Sequence, residues 1–218
     1  MCGRFISIEK KEKIEKLFPS SKVLNYSEKS FNISPSNLIN VINKNNNQFY
    51  IDNFFWSFTI FDKQNDINKL VINARLETIA SKILFKESFI KRKCLIISNG
   101  YFEWKKIDNG KQPYFISIPK NEIIFFGGIW RKETINNIDT NAACIITKEA
   151  NDNLSNVHNR MPLILSHNEG IEFLNDDDNL FLKNNKSIVE DDIDYFPVSK
   201  IVNNPKNNDE SCIKQITL

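Results

Sequence analysis

What most restricts the fold of this chain is the shortness of its apolar runs. They are rich in Ile and Phe and are cut repeatedly by clusters of Asn, Asp, Gly and Ser. Such runs fit strands better than long helices. Residues 38–42 and 49–58 are two of them, and the polar tract 43–48 between them reads as a hairpin. Residues 94–97 predict a buried strand that continues through 101–105. Asp108-Asn109-Gly110 is a strong turn signal, with 114–118 returning as the partner strand. Residues 123–130, 142–147 and 195–198 predict further strands, and 203–210 a polar loop.

Helices are expected in three places. Ser7 is a candidate N-cap for a helix over 8–18, with Glu9 in its first turn, Ile14, Leu17 and Phe18 on one face and Pro19 as the stop. Over 77–92, Ile79, Ile83, Leu84 and Phe89 follow helical spacing. Ser166-His167-Asn168-Glu169 is a capping box opening a short helix through Phe173 and Leu174, with His167 a solvated first-turn residue. No repeat, linker or shift in composition divides the 218 residues. The expectation is α+β: one compact, barrel-like domain over 1–218, dominated by antiparallel strands with short flanking helices.

Composition removes several function classes. With 29 Lys and Arg against 27 Asp and Glu, the net charge of +2 gives no whole-molecule field for nucleic acid, so any DNA contact must come from a local patch. The 17 Phe and 41% hydrophobic residues exclude disorder. No apolar run reaches the roughly 18–20 residues that span a bilayer, and the start of the chain lacks the apolar core of a signal peptide. A cytoplasmic protein with no membrane association is expected. Cys2, Cys94, Cys144 and Cys212 are far apart and only two His are present, which argues against a zinc site. The last three cysteines read as reduced core residues, and no cofactor is implied.

Cys2 differs from them. Removal of Met1 would expose a 1,2-aminothiol whose amine and thiol, with ordinary pKa values of about 7.7–8.0 and 8.5, are both nucleophiles near neutral pH. With an aldehyde, such a pair forms an imine and then closes through sulfur to a thiazolidine. In Tyr101-Phe102-Glu103-Trp104 the two-residue period places Phe102 and Trp104 on one face and Tyr101 with Glu103 on the other, so a carboxylate stands between large apolar neighbours. Partial desolvation suits it to proton transfer. His158 lies in a loop before a strand. Asn73 and Arg75 join a strand to a helix start, where an amide can hydrogen-bond and a guanidinium can reach a phosphate.

Five ordered segments carry a resemblance. Met1-Cys2-Gly3-Arg4-Phe5, Phe31-Asn32-Ile33-Ser34-Pro35, Ile72-Asn73-Ala74-Arg75-Leu76-Glu77-Thr78, Gly100-Tyr101-Phe102-Glu103-Trp104 and Val157-His158-Asn159-Arg160-Met161-Pro162 resemble the motifs of the SRAP family, the SOS-response-associated peptidases now understood as abasic-site processing proteins. Pro197-Val198-Ser199-Lys200 extends the likeness over nearly the whole chain. The resemblance implies a protein that acts, as a monomer and without metal, on abasic sites in single-stranded DNA. It attaches covalently through Cys2, removes its own Met1 and can reverse the crosslink. It implies Cys2 as nucleophile, Asn73 as the group orienting the Cys2 amine, Glu103 as the acid/base of imine formation and ring closure, and His158 as the group assisting opening of the sugar. Arg4, Arg75 and Arg160 are implied as phosphate or adduct contacts, with Asn32, Pro35 and Thr147 also at the DNA.

The chain departs from the family pattern in Trp56-Ser57-Phe58-Thr59-Ile60-Phe61, which keeps only the first Trp of a Trp-Gly segment. There Trp56 and Phe61 are the candidate residues of a loop meeting a single-strand/duplex junction. Ser98-Asn99 before Gly100 and Asn159 after His158 are two further departures. Two other readings remain open: a thiol peptidase with an N-terminal nucleophile acting on other proteins, and a non-covalent single-strand binder that stacks bases on Trp56 and other aromatics.

Overall fold

The computed structural model describes residues 2–62, 65–120, 122–135, 137–176 and 187–218. In chain order its strands are β1 (Phe5–Ser7), β2 (Lys22–Val23), β3 (Ser30–Ile33), β4 (Leu38–Asn45), β5 (Gln48–Trp56), β6 (Phe58–Asp62), β7 (Ile67–Val71), β8 (Asn73–Arg75), β9 (Lys93–Ser98), β10 (Gly100–Ile107), β11 (Gly110–Ser117), β12 (Ile124–Ile135), β13 (Ile138–Glu149), β14 (Arg160–Pro162), β15 (Ile164–Leu165) and β16 (Asp194–Pro197). The helices are α1 (Lys11–Leu17), α2 (Leu76–Ile79), α3 (Ile83–Lys91), α4 (Asp152–Ser155) and α5 (His167–Asn175).

Strands β5, β4, β9, β12 and β13 pair antiparallel in that order. The circuit closes where β13 meets β5 in parallel, Ala142 beside Phe55 and Ala143 beside Trp56. The result is the expected barrel. Closure removes the free edges that an open sheet of this length would expose. A second sheet, in the order β16-β11-β10-β1-β3, lies beside it. Side-chain alternation along β9 divides the core. Cys94 and Ile96 join Cys2, Phe5 and Tyr101 in the seam between barrel and second sheet. Leu95 and Ile97 join Phe18, Phe85, Phe89 and Phe173, which come from in or beside the helices. Every residue of β9 is therefore buried. Tyr101 faces the seam, while Phe102 and Trp104 pack on the opposite face beneath the C-terminal turns, as the two-residue period predicts.

Several expectations are corrected. Ser7 is not an N-cap: it ends β1 opposite Ser30, and α1 begins after Lys10, which supplies no side-chain cap. The hairpin turn is confined to Asn46-Asn47, whose φ values of 47° and 62° are the left-handed pair a two-residue turn requires, so the strands run through most of the polar tract. The helix over 77–92 is split into α2 and α3. Ser81 bonds the Thr78 carbonyl through both its hydroxyl (3.0 Å) and its backbone N–H (3.1 Å), a local alternative to the helical ladder. The strand over 94–105 is two strands in different sheets. The chain turns at Gly100, with φ +149°, where a Cβ would stand 2.6 Å from Phe115 Cζ and 2.7 Å from the Ile116 carbonyl oxygen. Ser98 secures the turn, its hydroxyl donating to the Ile6 carbonyl at 3.2 Å and accepting from Gly100 N–H at 3.1 Å. The capping box at Ser166 and Glu169 forms, but His167 is half-buried, its Nε2 donating to the Leu17 carbonyl at 2.9 Å and its ring edge-on to Phe18. Cys94, Cys144 and Cys212 are free and buried, as expected.

Candidate active site at the seam between the sheets

The approach to β1 brings Cys2 to the seam. Phe102 N–H donates to the Arg4 carbonyl at 2.9 Å, so the chain stays strand-like before β1 begins. Across the seam β8 lies parallel to β13, Asn73 beside Ile145 and Arg75 beside Thr147. That pairing aims Asn73 at the N-terminal segment, and its Nδ2 donates to the Cys2 carbonyl at 2.9 Å. Asn73 Oδ1 is buried and accepts no hydrogen bond among the described residues.

Cys2 has no exposed surface. Burial pushes its thiol well above the ordinary range, and the neighbouring Glu103 carboxylate pushes it further in the same direction. Glu103 is itself 4% exposed, opposite Tyr114 on β11. The Arg4 backbone N–H, bonded to the sulfur, acts in the opposite sense to burial and Glu103 without cancelling them.

His158 is brought to the same region by its neighbours in the chain. The turn after α4 is fixed by the His158 N–H to Leu154 carbonyl bond at 3.0 Å, and Leu154 and Met161, on either side of His158 in sequence, pack in one cluster with Cys2 and Tyr101. The backbone N–H of Arg160 donates to His158 Nδ1 at 3.0 Å. Because that N–H can only donate, Nδ1 is the acceptor and the neutral ring carries its proton on Nε2.

The three arginines differ. Arg75 is exposed at the end of β8. Arg4 is half-buried and its Nη1 donates to Asn32 Oδ1 at 2.8 Å and to the Val202 carbonyl at 3.0 Å. Asn32, 3% exposed, spends its amide on the carbonyls of Val202, Asn204 and Asn207, tying the C-terminal turns to β3. Arg160 forms a fork on Glu77 and donates to the Thr147 carbonyl at 2.6 Å. Thr147 is fully buried and Pro35 half-buried.

In the altered loop, Trp56 and Phe61 separate. Trp56 is 0% exposed, edge-on to Phe5 with its indole N–H on the Ile72 carbonyl, so it cannot stack on a base. This corrects the expectation for that ring: as the end of β5 it packs at the barrel's closure. Phe61, on the β6–β7 hairpin, is 58% exposed. Sequence reasoning quoted Glu77 inside a motif without giving it a role, and missed the ion pair of Lys148 (7% exposed) with Glu190 (2%), at 2.8 Å, beside the seam. The signal available for Glu77 was a carboxylate two residues after Arg75 at a helix start. For Glu190, far from Lys148 in sequence, none existed. Among the described residues no group of three His, Cys, Asp or Glu side chains could hold a metal ion, and no helix is long and apolar enough to cross a membrane.

Comparison with known proteins adds the following. Residues 1–205 match the family described as SOS response associated peptidase (SRAP). A Bacillus subtilis protein named abasic site processing protein YoaM is 31% identical over 222 residues, covering 95% of both chains. The Escherichia coli protein named abasic site processing protein YedK is 25% identical over 227 residues, covering 99% of this chain and 100% of that one. A crystal structure of a protein from Bacteroides thetaiotaomicron has the same fold, with a TM-score of 0.79 at 19% identity over 98% of this chain and 100% of the other.

Proposed function

As a chain that belongs to the SOS response associated peptidase family, this protein is, we propose, a cytoplasmic abasic-site sensor whose residues 1–218 act as one domain. It crosslinks to abasic sites in single-stranded DNA through an aminothiol freed by hydrolysis of its own Met1–Cys2 bond. The observation that carries the reading is the convergence on residue 2 of an amide and a carboxylate from different sheets. Asn73 holds the Cys2 carbonyl and has an acceptor oxygen to spare, while Glu103 is buried beside the thiol.

The chemistry needs proton transfers in sequence. An abasic sugar is mostly a closed hemiacetal; to open, its C1 hydroxyl loses a proton as the C1–O4 bond breaks and O4 leaves with a proton. His158, with its proton on Nε2, supplies a hydrogen bond to the departing ring oxygen. The Cys2 α-amine, held by Asn73 Oδ1, then adds to the aldehyde carbon. Glu103 takes the remaining N–H proton of the carbinolamine and delivers it to the hydroxyl, which departs as water and leaves an imine. Finally Cys2 Sγ bonds to the imine carbon, and its proton passes by way of Glu103 to the nitrogen. The sum is aldehyde plus aminothiol giving thiazolidine plus one water. A thiol kept neutral by burial suits this last step, because its proton leaves only as the carbon–sulfur bond forms.

Contacts with phosphate fall first to Arg75, which is exposed, and after it to Arg4, held against Asn32 and the C-terminal turns, and to Arg160, held by Glu77. Asn32 serves by holding Arg4. Incubation with a single strand bearing one abasic site, resolved on a denaturing gel, should give a shifted band that undamaged strand does not give. Complexes that dissociate completely in denaturant would refute covalent capture and favour a non-covalent binder.

A further inference from the structure

Glu77 has no part in the chemistry above, yet it holds Arg160, whose backbone in turn holds His158. It lies in the first turn of α2, two residues beyond Arg75. Its Oε1 and Oε2 accept from Arg160 Nη1 and Nη2 at 2.7 and 3.0 Å, the bidentate geometry that gives an arginine–carboxylate pair its directional strength. Arg160 Nη2 donates also to the Thr147 carbonyl near the end of β13, and the Arg160 backbone N–H donates to His158 Nδ1. Burial raises the Glu77 carboxyl, but the Arg160 fork and the backbone N–H groups of Glu77 itself and of Glu149 at the end of β13 outweigh it and hold the group below its ordinary value. The carboxylate is therefore charged at neutral pH.

One guanidinium atom remains over. Arg160 Nε is buried and has no hydrogen-bond partner among the described residues. With both Nη atoms turned to Glu77 and Thr147 and Nε shielded from solvent, the guanidinium fork faces the protein and not an incoming anion.

We propose that Glu77 is a positioning residue with two opposed effects: it fixes Arg160, and through the Arg160 backbone the His158 ring, while withholding the guanidinium fork from DNA phosphate. The role rests on the function proposed above. Loss of its charge frees the fork and relaxes the ring together. Binding to undamaged single strand should tighten, and chemistry on the closed sugar should slow. A merely structural carboxylate would weaken both.

The test compares wild type, Glu77→Gln and Glu77→Asp on three probes: undamaged single strand, a strand with an ordinary abasic site, and a strand carrying an aldehyde that lacks the ring oxygen and so cannot close. Glu77→Gln should bind undamaged strand several-fold more tightly, with a salt slope steeper by about 0.7, the value for one added phosphate contact on single strands. It should crosslink the ordinary abasic strand more slowly, by up to roughly a hundredfold, the scale of a misplaced catalytic group. The open aldehyde should be slowed much less. Glu77→Asp, keeping the charge, should restore the wild-type salt slope. Unchanged affinity and slope in Glu77→Gln, or equal slowing on both reactive probes, overturns the role. A wild type that forms no adduct overturns the proposed function itself, and this role with it.

Discussion

The seam and the β6–β7 hairpin sit at opposite extremes of constraint. At the seam, Cys2, Glu103 and Thr147 are buried, and Asn73, His158 and Arg160 are each held by a backbone partner from another strand or turn. In the hairpin, β6 and β7 pair only with each other. The hairpin is anchored at its base, where Phe58 is buried under the Arg131 guanidinium, 4.4 Å from its ring, and Glu133 accepts from Thr59 N–H at 2.9 Å. Beyond that base, Phe61, Ile67 and Leu70 are 58%, 49% and 50% exposed. Proton transfer needs fixed distances and dry surroundings, which only packing between two sheets supplies. Meeting a nucleic acid needs rings that reach past the surface, which packing would consume. Trp56 illustrates the trade: in strand β5 it helps close the barrel and is lost to recognition.

Substitutions at the seam should therefore change chemistry and stability, and substitutions on the hairpin should change only recognition. The largest effects are expected for Glu103→Gln and His158→Ala, which should slow adduct formation by roughly a hundred- to ten-thousandfold, the range for lost acid/base groups. Affinity for undamaged strand should barely move. Rates on an ordinary abasic site would decide this, and parent-like rates in either variant would break the assignment. Next comes Lys148→Met, which leaves the Glu190 carboxylate buried without its cation. Stability should fall by about 3–5 kcal/mol in urea unfolding, and Lys148→Met with Glu190→Leu should recover most of it. A loss in the single variant no larger than that of an exposed pair, about 0–1 kcal/mol, would mean that the seam is wetter than its burial implies.

The smallest effect belongs to Phe61→Ala. It should cost little stability, because the ring is mostly in water, and should lose part of the roughly 1–3 kcal/mol that base–aromatic stacking provides. The loss should be confined to substrates with a recessed primer end. Strong junction preference that survives Phe61→Ala would move recognition away from the hairpin.

The longer strands β4, β5 and β9 to β13, and the late strand β16, were legible as apolar runs bounded by polar and turn residues, and Glu103 could be put on the correct face from alternation alone. Strands β1 to β3, β7 and β15 were not legible, β8 and β14 had no predicted bounds, and β6 was not separated from β5. What stayed hidden depends on contacts remote in sequence. The break between Ser98 and Gly100 follows from Phe115 and Ile116 crowding the turn, which the runs on either side do not reveal. Ser7 has the composition of an N-cap, but β1 needs that residue to reach β3. His167 stands in a first turn as expected, and only the end of α1 packing against α5 removes it from water. At the seam, Cys2 and Asn73 are 71 residues apart and meet through strand pairing. Only the motifs of a known family joined them in advance.

The central claim is that the α-amine and thiol of Cys2 together capture the sugar aldehyde. Its most direct test is the intact mass of the denatured product formed with an oligonucleotide carrying one abasic site, followed by mapping of the modified peptide. The mass should equal the protein without Met1 plus the oligonucleotide minus one water, with the modification on Cys2. An adduct that retains Met1, or one that maps to a lysine, would contradict it.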